Sequence, residues 1–181
     1  MNIFLRIYAL DYWVLLGIVV AVIGVFALVA KLLRKQKWFG DLCGAGFIIF
    51  TIFILWFTVL RRVGTANAEH LLRLIPFYSY YIGFIESEEG FRTCFMNAVL
   101  FVPLGCMFFG YNRDNKIKLI HFILFAFALS FFVEVNQYIF KLGYAEVDDL
   151  IHNVLGVSFG YWMCVIFTKL YNRIGKNENI N

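Results

Sequence analysis

The sequence predicts an all-α, polytopic helical membrane protein with about five transmembrane helices and one interfacial segment. Three observations lead there. Of 181 residues, 62% are hydrophobic and only 15% are charged, and the mean hydropathy is +0.77. Several apolar runs reach the length of about 20 residues that crosses a hydrocarbon core about 30 Å thick. Basic residues crowd the short segments between those runs, where membrane orientation accounts for them. A soluble domain of this size would not carry so much apolar surface, and the chain is read as a single membrane domain over residues 1–181.

After a short lead, Met1 to Asp11, the first span runs from about Tyr12 to Leu33. It is longer than the h-region of a signal peptide and lacks a small-residue cleavage site. The second runs from about Gly40 to Leu60, with Trp38 and Phe39 at its entrance and Arg61 and Arg62 at its exit. The third, Phe91 to Tyr111, contains Asn97, Pro103 and Gly105. The proline predicts a kink and a freed carbonyl that neighbouring helices must satisfy. The fourth runs from about Lys118 to Phe140 and the fifth from about Leu150 to Tyr171, followed by a polar tail. The stretch from Val63 to Gly90 differs. It holds Glu69, His70, Glu86, Glu88 and Glu89, and the tyrosine-rich run Leu71 to Tyr81 interrupted by Pro76. This composition suits a short interfacial or re-entrant element, with Tyr78, Tyr80 and Tyr81 at headgroup level.

With the N-terminus outside and five spans, the inner segments hold ten of the 16 Lys and Arg residues. The excess predicts a multi-pass cell-membrane protein with the N-terminus outside and the C-terminus cytoplasmic. The Val63–Gly90 stretch and the turn Lys141 to Asp149 then lie outside. The partner this implies is the lipid bilayer; a net charge of +4 confined to short loops does not indicate nucleic acid. Cys43, Cys94, Cys106 and Cys164 are scattered without metal or redox spacing and read as buried thiols. No cofactor is implied.

Polar residues inside the spans carry the functional signal. Ser130, Glu134, Gln137 and Lys141 recur at helical spacing, as do Asp149, Asn153, Gly156 and Gly160. Each set occupies an arc of about 60° on a helix. Paired antiparallel about Ala145, the register sets Lys141 against Asp149, Gln137 against Asn153, Glu134 against Gly156 and Ser130 against Gly160. The spacing Gly156 to Gly160 permits close helix approach. Glu134 falls roughly 10 Å into the membrane, and an ionisable residue at that depth marks a functional site by default. The bland alternative is a protonated carboxyl acting as helix glue.

Asn97 stands at similar depth on the third span. Asp148 and Asp149 suit the N-terminus of the fifth helix. His152 lies off the polar stripe and reads as a polar surface or packing residue and not as a ligand. Arg73 and Arg92 flank the same face, either holding an anionic headgroup or snorkelling. Glu134, Asp149 and Asn153 offer oxygen atoms to a hard cation, but the EF-hand pattern is absent and no metal site is assigned. No local nucleophile, zincin or P-loop motif occurs. An enzyme would have to use Glu134 and Asp149 as acid/base groups. The residues favour a ligand-binding module built on Asn97, Glu134, Gln137, Asp149 and Asn153, with a membrane enzyme acting on a lipid-linked headgroup as the alternative.

Three ordered stretches, Asn97 to Gly105, Ser130 to Gln137 and Asp148 to Gly160, together with Leu74 to Phe77, resemble the VanZ-like family of bacterial membrane proteins over about residues 72–161. The resemblance implies a helical membrane protein associated with glycopeptide resistance of the teicoplanin type. It implies partners such as a lipid-linked cell-wall precursor or a lipophilic glycopeptide, and it implies no settled biochemical activity. The matching polar residues are Asn97, Glu134, Gln137, Asp149 and Asn153. Two positions depart from it. Arg73 stands where many members have Asn, and Gly143 stands where many have Arg. An Arg–carboxylate pairing with Asp149 therefore has no partner at position 143, and Lys141 is a substitute at a different place in the chain.

Overall fold

The computed structural model describes residues 12–33, 36–63, 71–78, 80–81, 89–115 and 117–177. Five α-helices run through them: α1 (Tyr12–Leu32), α2 (Lys37–Thr58), α3 (Glu89–Asn115), α4 (Leu119–Ile139) and α5 (Val147–Asn177). A 3-10 turn, Leu60–Arg62, follows α2. Each expected span is one helix. The largest difference is α5, which begins at Val147 and continues to Asn177. Helices α2 to α5 are long and apolar enough to cross a membrane, whereas the apolar stretch of α1, Leu16–Leu32, is shorter. α3 continues through Pro103 without ending. The expectations for Met1 to Asp11 and for Glu69, His70, Glu86 and Glu88 fall outside the described residues.

The part of the expected interfacial element that is described holds a feature the sequence did not announce. Two three-residue strands, β1 (Leu71–Arg73) and β2 (Tyr144–Glu146), pair in parallel with Leu71 opposite Tyr144, Leu72 opposite Ala145 and Arg73 opposite Glu146. Three residues are too few for alternation of apolar and polar side chains to signal a strand.

α3 and α5 form the central pair. Their contact is backbone against backbone. A Cβ added to Gly156 would lie 2.0 Å from the carbonyl oxygen of Ala98, and one on Gly160 2.2 Å from that of Val102. Gly105 of α3 meets the Val157 carbonyl of α5 in the same way, at 2.1 Å. The two glycines of α5 were expected to face α4; they face α3 instead. Removing side chains here lets the main chains approach, which is how helices associate where lipid is as apolar as the helix surface.

α1 packs on one side of this pair through Ile23 and Ala27 against Val102, Cys106 and Cys164. α2 and α4 cover the other side, where Ile54, Phe122 and Val133 join Phe101, Leu104 and Val157. Phe108 of α3 stacks on Phe122 of α4 with ring centres 3.8 Å apart. The outward faces keep large apolar side chains such as Val25, Ile49, Leu124 and Trp162 exposed, which suits contact with lipid. All four cysteines are free and buried.

The expected register of the fourth and fifth spans is displaced by about two helical turns. Asn153 bonds Ser130, where Gly160 was expected, and Glu134 lies near Asp149 and Glu146 rather than Gly156. The cause is the connection. α4 ends in a Schellman arrangement, with Lys141 at φ +57° and the Leu142 amide donating to the Gln137 carbonyl at 2.8 Å. The chain then runs as β2 along the end of α4 before α5 begins. Three extended residues cover about 10 Å, the rise of about seven helical residues, so α5 starts beside the last turns of α4 instead of above them.

We expect Gly156→Ala and Gly160→Ala each to destabilise the protein by about 1–3 kcal/mol or more, because the new methyl group meets rigid backbone. Ser158→Ala lies between them and loses only a bond to the Val154 carbonyl on its own helix; it should cost less than about 1 kcal/mol. Thermal unfolding in detergent, followed by circular dichroism, checks the difference.

Candidate functional site

The polar residues converge where the ends of α3, α4 and α5 meet the strand pair. Glu134 is 8% exposed. One of its oxygens accepts the backbone amide of Glu146 at 2.9 Å, because β2 folds back against α4 and offers an amide with no helical partner. Glu134 also lies within range of the charges of Asp149, Glu146 and Arg62. One turn earlier on α4, Ser130 is fully buried and accepts a bond from the Asn153 side-chain amide at 2.9 Å. Asn97 of α3 hydrogen-bonds Asp149 of α5 across the glycine contact. Four of the five expected binding residues, Asn97, Glu134, Asp149 and Asn153, therefore share one polar centre.

Gln137 belongs elsewhere. It is 4% exposed, and its side-chain amide donates to the Thr58 carbonyl at 3.3 Å. It ties α4 to the end of α2, not to Asn153. The displaced register explains this, because Asn153 meets Ser130 two turns deeper on the same face of α4, which leaves Gln137, near the end of α4, to the end of α2.

The neighbouring residues clamp residues 71–78 and Tyr80 onto this end of the bundle. Arg73 pairs with Glu146 at 2.9 Å and lies over the Tyr144 ring, 3.7 Å from its centre, and near the Tyr78 ring. Asp148 accepts the backbone amide of Phe77 at 2.5 Å, so it anchors another segment as well as standing in the first turn of its own helix. His152 Nδ1 lies 2.5 Å from the Asp148 carbonyl oxygen. A carbonyl only accepts, so Nδ1 carries the proton and Nε2 accepts from the Tyr80 hydroxyl. The packing role expected of His152 agrees with this. Burial, reinforced by Cys94 and Asp148 nearby, pushes the Tyr80 phenol above its ordinary value of 10.0.

Two acceptors at the centre have no partner among the described residues: Asp149 Oδ1 and Asn153 Oδ1, both buried. An apolar groove of about 170 Å³, open to the surface, lies beside Glu134 and is walled by Leu72, Leu74, Phe131, Tyr138 and Leu150. The groove can receive an apolar chain beside Glu134, while Asp149 and Asn153 are not among its lining residues. Among the described residues no group of three His, Cys, Asp or Glu side chains is placed to hold a metal ion.

Sequence reasoning missed Arg62. Its Nη1 lies 3.7 Å from where a Cβ of Gly143 would stand, and its charge acts on both Glu134 and Asp149. The cation that the resemblance places at position 143 is supplied from the end of α2. No local signal could have shown this, since Arg62 and Gly143 are joined only by tertiary structure.

The VanZ/LLP1 family model matches residues 47–168, from the middle of α2 through most of α5, and so includes every residue of this centre. The chain belongs to the VanZ/LLP1 family. With its long apolar helices it is a membrane protein of that family. The match begins well before Leu72, so the second half of α2 belongs to the VanZ/LLP1 region along with the motifs. No curated protein and no solved structure matches the chain.

Tyr80→Phe removes the bond to His152 and should cost about 1 kcal/mol. It should also speed amide hydrogen exchange in residues 71–81 while leaving α1 unchanged. Because the folded-state phenol titrates above its ordinary value, its contribution is complete below about pH 10 and is lost above it. Exchange rates of wild type and variant should therefore converge as the pH rises past that point.

Proposed function

We propose that this protein serves the cell envelope by binding the polar part of a lipid-linked ligand in an outward-facing cleft, and that in this way it contributes to resistance to teicoplanin-type glycopeptides. In this scheme the N-terminus is outside and the C-terminus cytoplasmic, so that the strand pair and the polar centre sit at the outer leaflet. The ligand is a lipid-linked cell-wall precursor or a lipophilic glycopeptide. The supporting observation is the juxtaposition of unpartnered acceptors, Asp149 Oδ1 and Asn153 Oδ1, with Glu134 at the edge of an open apolar groove. Amide, hydroxyl and ammonium donors complement those oxygens, while an acyl chain complements Phe131, Leu72 and Leu74. Family membership and the membrane-spanning helices are consistent with this role.

A second function rests on the two carboxylates. Glu134 and Asp149 act on each other electrostatically inside a buried centre. Such a pair suits acid/base chemistry on a lipid headgroup.

The first function predicts that Glu134→Ala, expressed and inserted at the wild-type level, returns glycopeptide susceptibility to that of cells lacking the protein and abolishes its effect on drug accumulation at the cell surface. Unchanged resistance in that variant removes the cleft as effector. Acid/base chemistry predicts that the purified protein, incubated with lipid-linked precursor and divalent ions, yields a product of altered headgroup mass. Absence of turnover refutes it.

A further inference from the structure

A second cavity lies at the other end of the bundle, lined on α5 from Tyr161 to Lys169, and Lys169 is about 30 Å along the helix from Asp149 at 1.5 Å per residue. That separation equals the thickness of a bilayer's hydrocarbon core, so when one site is at one headgroup layer the other is at the opposite one. The cavity, of about 310 Å³, opens between the ends of α1, α2, α3 and α5. Its walls are mixed. Phe39, Phe109 and Tyr161 supply apolar surface, and Lys31 and Lys169 supply two cations. No acidic side chain occurs among its described lining residues; Asp41 of α2 is exposed and outside the lining.

The polar groups at this site differ in what they have left to offer. Asn112 bonds the backbone of Ile117 through both ends of its amide, at 2.9 and 2.6 Å, which leaves one Nδ2 hydrogen. Lys31 donates to the Tyr171 carbonyl at 2.7 Å, which fixes the ammonium at the cavity and leaves two donors. Lys169 is exposed. Thr168 Oγ1 is buried without a partner among the described residues. Phe39 stands in the first turn of α2, and its amide donates to the Gln36 carbonyl at 3.2 Å, so it is the ring that it offers to the cavity. Two ammonium groups beside an aromatic wall, with no acid in the described lining, select an anion carried on an apolar body.

We propose that this cavity binds the phosphate headgroup of an anionic membrane phospholipid, with Lys31 and Lys169 as its contacts. The position at headgroup depth and the apolar wall commit the phosphate to a lipid and not to a soluble source. In the orientation with the C-terminus cytoplasmic, the lipid belongs to the inner leaflet, where anionic lipids attract basic residues. The proposal does not depend on the function of the acidic centre.

The test uses the full chain, delipidated in detergent and supplied with phosphatidylglycerol or phosphatidylcholine, with bound lipid counted by native mass spectrometry. Wild type should retain one phosphatidylglycerol per chain and discriminate against phosphatidylcholine. At about 1 kcal/mol for each lysine at the surface, Lys169→Gln should weaken retention about 5-fold and the double variant with Lys31→Gln about 30-fold. Arg173→Gln removes an exposed charge at the same end of α5 that is outside the cavity lining, and it should leave retention near wild type. If the double lysine variant does not fold, Lys169→Gln carries the test, because its side chain is exposed. Equal retention by wild type and lysine variants overturns the proposal. So does an Arg173→Gln effect as large as that of Lys169→Gln, which would mean general surface attraction. Displacement of the lipid by excess inorganic phosphate would show a free-anion site and overturn the assignment to lipid.

Discussion

The close approach of α3 and α5 is the contact on which the rest of the structure depends. Gly105, Gly156 and Gly160 bring carbonyl oxygens of each helix against the α-carbons of the other. In a bilayer, helices gain little from burying apolar side chains against one another, since lipid tails offer the same environment. Close packing of main chain must supply the association. It also sets the separation across which Asn97 reaches Asp149, and α1, α2 and α4 then pack on the pair. A methyl group at either α5 glycine would therefore disturb the polar centre as well as the packing.

The polar end shows how much of an apparent functional constellation serves the backbone. Non-helical chain at membrane depth needs every amide satisfied within the protein. The strand pair satisfies some of these groups, Glu134 takes the Glu146 amide, and Asp148 takes the Phe77 amide. His152 and Tyr80 lock the same segment, and Arg73 closes it with an ion pair to Glu146. Asp148, His152 and Arg73 are thus accounted for by structure alone. Among the described residues, the acceptors left over at this centre are one oxygen each on Asp149 and Asn153.

The helices were legible because each depends on one local property, an apolar run of sufficient length. The convergence of Asn97, Glu134, Asp149 and Asn153 was legible because polar residues are costly in such runs and so stand out. The partners were not legible. Pairing α4 with α5 by sliding two periodic patterns assumes a tight turn, and Tyr144 to Glu146 form a strand instead. That shift moved Gln137 to Thr58 and gave Ser130 to Asn153. The glycine spacing announced a close contact correctly but not with which helix. α3 and α4 both offered apolar faces, and the choice rests on Gly105, whose backbone fits against Val157.

Arg62 shows how a departure from a motif can be answered elsewhere in the fold. Gly143 has φ +141°, a conformation that side-chain-bearing residues rarely adopt. An arginine there would strain the turn or require a different path between α4 and β2. The path taken by this chain lets β2 fold against α4 and present the Glu146 amide to Glu134. It also leaves open the space that the Arg62 guanidinium approaches from the end of α2. A charge within range of Glu134 and Asp149 is therefore present without a side chain at position 143. Glycine at 143, arginine at 62 and the depth at which α5 begins are best understood as one coupled arrangement. Changing any one of them alone either strains the turn or removes the cation from two buried carboxylates.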